Sequence, residues 1–229
     1  MNILALDTSM GACSAAVLRD DGAARHLVVR EALMARCHAE ALMPMIAEVM
    51  AEAGLDFAAL GLIAATVGPG SFTGVRIAIA AARGLALVTP AKLYGTDSLT
   101  VMVRLALSTG VVRQEPLAVA VDARRGMLYL GLYNEEGRKL DGPLLLAPDD
   151  AATLLPSNLN SVVGSGAVLL AEAGARRGRI LKAELAELQP SAAALAEIAL
   201  ESGETVPMLR PLYLRPPDAR PQAQAVARR

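Results

Sequence analysis

The sequence predicts an α/β protein built as two related lobes. Two observations carry that prediction. An apolar run, Leu62 to Val67, is short enough for a buried strand; it meets the loop Gly68-Pro69-Gly70-Ser71-Phe72-Thr73-Gly74 and continues into a helix-favouring stretch ending near Val88. A device of strand, Asp-containing turn, strand, turn, strand also stands near the start and again after Pro116, as an internal duplication would leave it. The chain has 229 residues, 54% of them hydrophobic, enough to bury a core as one large domain or two small lobes.

Taken in order, Ile3 to Leu6 reads as a buried strand ending at Asp7-Thr8-Ser9, and Cys13 to Leu18 as its partner. Asp20-Asp21-Gly22 makes the next turn, and His26 to Val29 a third strand. The acidic, hydroxyl-bearing corner at Asp7 suits a metal or a phosphate held between hairpin strands; plain turn chemistry accounts for Asp-Thr-Ser equally well. Residues 39 to 53 form the first long helix, bounded by Gly54, with Pro44 fitting a first turn or a mild kink. Its apolar positions Leu42, Met43, Met45, Ile46, Val49 and Met50 cover more than one face, so it is either an interior helix or one that packs against a partner.

The glycine loop permits close backbone approach, and Ser71 or Thr73 can cap the helix behind it, where free amides attract anions. A phosphate fits there, through Gly68, Gly70, Ser71 and Gly74 with Asp7, Thr8 and Ser9 opposite; a tight strand-to-helix turn explains the same glycines. The loop lacks the Gly-Lys-Ser/Thr ending of a Walker A site. From Val75 to Val88 only Arg76 and Arg83 are charged, and Val75, Ile79, Ala82 and Leu87 again provide apolar surface beyond what one sheet face covers. Two such helices in one lobe tilt the reading towards an interface.

Thr96-Asp97-Ser98 caps a helix from Leu99 to Leu107 that Gly110 ends. Composition resets between Ser108 and Glu115, giving an N-terminal lobe over 1–110, a smaller lobe over 111–215 and an extended or flexible tail over 216–229. In the second lobe, Leu117 to Asp122 is a strand, Ala123-Arg124-Arg125-Gly126 a turn, and Met127 to Tyr133 the returning strand. Helices follow from Pro148-Asp149-Asp150, after Gly164-Ser165-Gly166, and from Ala192 to Leu200 behind Pro190-Ser191. Arg176-Arg177-Gly178-Arg179 reads as a solvated turn rather than an RNA site.

Charge and residue counts narrow the chemistry. Lys plus Arg number 22 against 23 for Asp plus Glu, so no overall positive field recruits nucleic acid or an anionic membrane. Tryptophan is absent and aromatics are 3%, which argues against base-stacking platforms. Cys13 and Cys37 form neither a disulfide framework nor a zinc spacing, and the start carries no basic secretory region, so the expected compartment is the cytosol. His26 and His38 are the whole histidine complement, with no His-x-x-x-His pair and no Gly-x-Ser-x-Gly elbow; no metal, cofactor or catalytic residue is assigned. The residues favour binding over bond-breaking.

Ile-Leu-Ala-Leu-Asp-Thr-Ser at the start, His-Ala-Glu-Ala-Leu-Met-Pro at 38–44, Gly-Pro-Gly-Ser-Phe-Thr-Gly-Val-Arg-Ile at 68–77, Val-Asp-Ala-Arg-Arg-Gly at 121–126 and Pro-Leu-Tyr-Leu-Arg at 211–215 closely resemble the bacterial TsaB (YeaZ) family. The resemblance implies an actin-like ATPase (ASKHA, ribonuclease H-like) fold, two related lobes of mixed sheets flanked by helices. It implies a non-catalytic scaffold for TsaD, the subunit that transfers threonylcarbamoyl to the adenosine beside the anticodon of tRNAs reading codons that begin with A. TsaE, an ATPase, is expected at their junction, and a homodimer when the chain is alone, with tRNA reached only through the complex. The helices that meet TsaD or a second copy correspond to residues 39–53 and 73–88. His38 stands where the metal site of TsaD begins, without its second histidine. The competing expectation is a weak ATPase or glycoprotease-like hydrolase using Asp7 and the glycine loops.

Overall fold

The computed structural model describes residues 1–111 and 115–215. The tail expected at 216–229 lies outside the described residues, as does residue range 112–114 within the expected lobe boundary. The first half runs β1 (Asn2–Asp7), β2 (Ala12–Asp20), β3 (Arg25–Leu33), α1 (His38–Glu52), β4 (Leu62–Thr66), α2 (Phe72–Val88), β5 (Lys92–Thr96) and α3 (Ser98–Ser108). The second runs β6 (Leu117–Asp122), β7 (Leu128–Tyr133), β8 (Lys139–Leu146), α4 (Pro148–Leu154), β9 (Ser161–Val163), α5 (Ala167–Arg176), β10 (Lys182–Glu184) and α6 (Ala192–Ser202). Three strands, helix, strand, helix, strand, helix is thus written twice along the chain. The second copy matches the first element for element, which its weaker hydrophobic pattern conceals.

Each copy forms a five-stranded sheet, ordered β3-β2-β1-β4-β5 and β10-β9-β6-β7-β8. In both, the opening three strands pair antiparallel and the two later strands run parallel to the first. Repeated strand order 3-2-1-4-5 is the ribonuclease H-like arrangement, doubled as in actin-like proteins. The central strands β1, β4 and β6 are apolar nearly throughout because both their faces are covered. The outer strands β3 and β8 mix polar with apolar residues and are mostly exposed or half-buried.

Helices α1 and α2 cover one face of the first sheet, with Leu42, Ile46, Val49, Val75 and Ile79 packed on Leu4, Leu6 and Ile63. The opposite face receives α6, whose Ala192, Ala196 and Ala199 let its backbone come close to Ala5, Ala16 and Ala64. Helix α6 therefore leaves the 111–215 stretch to pack on the first sheet. Helix α3, at the end of the first half, packs on the second sheet through Leu99, Met102 and Val103 against Val119 and Tyr133. The halves exchange their last helices. Helices α4 and α5 close the outer face of the second sheet.

The caps follow the expected residues: Ser71 accepts from the Gly74 amide, Asp97 from Thr100, and Ser191 from Ala193. Pro44 lies beyond the first turn of α1, on its exposed side, rather than within that turn.

Candidate functional site

The corner between β1 and β2 is closed. Asp7, Thr8 and Ser9 are fully buried, and their polar atoms serve one another and α2. Asp7 Oδ1 accepts from the Ser9 amide at 3.2 Å and Oδ2 from the Ser9 hydroxyl at 2.9 Å; the Thr66 hydroxyl also donates to Oδ2. Thr8 Oγ1 donates to Gly74 O at 2.7 Å and accepts from the Ala78 amide at 3.1 Å, stitching the corner to α2. Burial pushes the Asp7 carboxyl up to about 6, against the hydrogen bonds from Thr66 and Ser9 that favour its charged form.

The loop glycines have a matching explanation. A Cβ on Gly70 would stand 2.2 Å from Ser9 O, and one on Gly74 would stand 2.1 Å from Thr8 O. Neither glycine could carry a side chain, because the corner's own backbone passes directly against it. The residues expected at a phosphate site, Asp7, Thr8, Ser9, Gly68, Gly70, Ser71 and Gly74, are brought together, but as a packed joint. Gly68 O accepts from the Ser98 amide at 2.9 Å, and the Ser71 amide donates to Ser9 O at 2.7 Å. Gln189 completes the seal: its Oε1 accepts from the Gly11 amide at 2.8 Å, the kind of donor that would otherwise meet an anion. His38 Nε2 lies 3.1 Å from Met10 O, so this ring also holds the corner. Among the described residues no cluster of three or more His, Cys, Asp or Glu is placed to hold a metal, and no helix is long and apolar enough to cross a membrane.

Beside the closed corner lies an open cleft of about 940 Å³, bounded by Ser9 to Gly11 on one side and by Asp122 to Arg125 and Ser165 on the other. The segment 212–215 forms a further wall. That segment runs back along the first half, where Leu209 is buried and the Leu212 amide donates to Val67 O at 2.7 Å. Composition flagged Arg124 and Arg125 only as turn residues, and did not single out Phe72, Tyr129, Gln189 or Tyr213. Two signals were available: Phe72, Arg124, Arg125 and Tyr213 lie in the segments that carry the family resemblance, and Asp122-Ala123-Arg124-Arg125-Gly126 occupies, in the second copy, the place of Asp7-Thr8-Ser9-Met10-Gly11 in the first.

The expected partner face of α1 and α2 needs correction. Leu42, Ile46, Val49, Met50, Val75, Ile79 and Ala82 are buried within the protomer, because α1 and α2 press this face onto the sheet and onto each other. They cannot be surface for a partner. Met45 is partly buried against the same core, and half-buried Arg83 donates through Nη2 to Leu209 O. What faces outward is Met43, 50% exposed, with Ala39 and Ala47 on α1, and Ala80, Gly84, Leu87 and Val88 on α2. Leu87 and Val88 are 86% and 80% exposed, and a Cβ on Gly84 would meet nothing within 4 Å. The surplus of apolar surface is real, but it lies on fewer residues.

In the second half, Arg179 donates to Leu155 O and Pro156 O at 2.8 Å and to Leu159 O at 2.6 Å, and Arg176 pairs with Asp149. Arg179 fastens the loop after α4, and Arg176 ties the end of α5 to the start of α4.

The doubled ribonuclease H-like fold is that of actin-like proteins, and within it the family model for TsaD, tRNA N6-adenosine threonylcarbamoyltransferase, matches residues 29–173. Within that class, the chain is 30% identical to the tRNA threonylcarbamoyladenosine biosynthesis protein TsaB of Escherichia coli K12, over 94% of this chain and 95% of that protein. It is 36% identical to TsaB of Haemophilus influenzae over 62% of this chain and 57% of that protein. YeaZ from Pseudomonas aeruginosa superposes with a TM-score of 0.76 and 31% identity, over 93% of this chain and 99% of that one. The chain belongs to the TsaB family.

Proposed function

We propose that this chain acts in threonylcarbamoyladenosine biosynthesis as a non-catalytic scaffold. It binds and supports TsaD during modification of the adenosine beside the anticodon in tRNAs reading ANN codons. The observation that carries this reading is the outward strip Met43, Ala80, Gly84, Leu87 and Val88, apolar and uncovered in the protomer, with small residues that let a partner helix come close. The closed corner supports the non-catalytic half: the Asp7 carboxylate and both neighbouring hydroxyls are committed to internal hydrogen bonds, and Gln189 holds the Gly11 amide. This also weighs against a weak ATPase or hydrolase built on Asp7. The same strip pairs two copies when TsaD is absent, TsaE joins the TsaD junction in an ATP-dependent manner, and tRNA is engaged through the complex in the cytoplasm.

Light scattering on the isolated chain and on its mixture with TsaD tests the reading. A homodimer that gives way to a heterodimer, with both lost in Leu87→Asp, supports it. A chain that stays monomeric and ignores TsaD contradicts it.

A further inference from the structure

Glycine is an unfavourable residue inside a strand, and the backbone of β5 gives no reason for one, since the φ of Gly95 is not in the left-handed region. A neighbour across space gives the reason. A Cβ on Gly95 would stand 2.6 Å from Leu209 Cδ2 and 3.0 Å from Val67 Cγ1. Strand β5 gives up a side chain so that Leu209 can enter the core.

Leu209 belongs to a strap, residues 206–213, that follows α6 and runs along the outer edge of the first half. The strap is pinned at intervals: the Val206 amide donates to Leu93 O at 2.8 Å and the Leu212 amide to Val67 O at 2.7 Å, and the Tyr213 ring stacks on Phe72 at the start of α2. Pro207 and Pro211 bracket its middle. Each fixes its own φ and lacks an amide for the ladder, so the strap braces β5 as a stiff extended piece instead of adding a sixth strand. Leu209 is 1% exposed while Met208 and Arg210 beside it are exposed, so one side chain serves as the plug.

The strap meets α2 where that helix is weakly anchored. From Arg83 to Val88 no residue of α2 is fully buried, and Gly84, Leu87 and Val88 face outward. Arg83, one turn before Leu87, donates through Nη2 to Leu209 O, while the Leu209 side chain shares the core with Ile79 and Ala82. The last turns of α2 therefore depend on the seated strap and on the partial packing of Leu85 and Ala86.

We propose that the strap is a clamp, with Leu209 as its plug, that holds the last turns of α2 and so sets the outward apolar face of that helix for a partner helix. The partner half of this statement rests on the scaffold reading; the clamp itself does not.

Hydrogen exchange on the full-length protein tests the clamp. In Gly95→Ala, whose methyl group meets Leu209, the amides of α2 from 82 to 88 are expected to exchange about tenfold faster or more, with those of β1 unchanged. Leu209→Ala, which empties the site, acts in the same direction. The double variant Gly95→Ala, Leu209→Val conserves volume and exchanges more slowly than Gly95→Ala. Titration with TsaD well below the melting temperatures tests the partner half. Affinity falls about fivefold or more in Gly95→Ala and recovers in the double variant, although no residue of the outward strip is altered. Exchange of α2 unchanged in both single variants, or a rise shared equally by β1, would overturn the clamp. Faster α2 exchange with TsaD affinity intact would overturn its role at the partner face. If the parent chain ignores TsaD, the scaffold reading and that role fall together, and the exchange data still decide the clamp.

Discussion

Asp7 is a carboxylate that the fold uses as a structural knot. Its pKa of about 6 lies above the ordinary value near 3.9 of an unfolded chain, so between those two values the folded state holds more of the proton. The favourable contribution is complete below the unfolded value and is lost as pH rises through the folded one; at neutral pH the buried charge is a cost of about 3 kcal/mol. Asp7→Asn is therefore expected to flatten the stability profile between about pH 4 and 6 and to unfold no earlier than the parent at pH 8. Thermal melts across that range check it, and a variant much weaker at pH 8 would show that the charged form is what Ser9 and Thr66 hold. Gly74 makes the companion case. With Thr8 O only 2.1 Å from where a Cβ would sit, Gly74→Ala forces the corner and α2 apart. Denaturant unfolding should show a loss of about 2–4 kcal/mol, whereas a neutral result would mean the joint can slide.

Helices α1 and α2 each have a face the first sheet needs and a face it does not. Val49 is fully buried and Leu87 is 86% exposed, so the same substitution separates the two. Val49→Asp should cost about 3–5 kcal/mol, since it buries a charge without a partner, while Leu87→Asp should shift stability by no more than about 0.5 kcal/mol. Unfolding curves of the two variants decide between core and interface directly. The strands and helices themselves were legible in the residues: β1, β2, α1, β4, α2, α3, β6, β7 and α6 all stand where apolar period, glycines and caps put them. The short β10 was not, because a three-residue strand leaves little periodic signal; the outer strand β8 was expected only as the last strand of the second repeat, without bounds, because an edge strand half in solvent carries a weak period. Helical surplus likewise showed that α1 and α2 were too apolar for one sheet face. It could not say which residues turned outward, because Leu42 and Met43 differ only by the rotation of the helix.

At the scale of the molecule, two copies of one unit exchange their last helices and face their corners onto a common cleft. Repetition of strand, Asp turn and strand was visible in the sequence, and the doubled order of the sheets bears it out. The exchange was not visible, since it depends on α3 and α6 packing across to residues far away in the chain. The cleft was illegible for the same reason, with Phe72 and Tyr213 separated by the whole second copy. One corner is packed against its own backbone and bonded by Gln189, while apolar surface lies outward on α1 and α2, so on the proposed scaffold reading holding TsaD is separable from performing chemistry. Reconstitution of threonylcarbamoyladenosine formation on tRNA with TsaD, TsaE and either Asp7→Asn or Leu87→Asp of this chain tests that separation most directly. The account predicts near-parental modification with Asp7→Asn and loss of modification with Leu87→Asp, both variants being folded. Modification abolished by Asp7→Asn, or undiminished with Leu87→Asp, would contradict it.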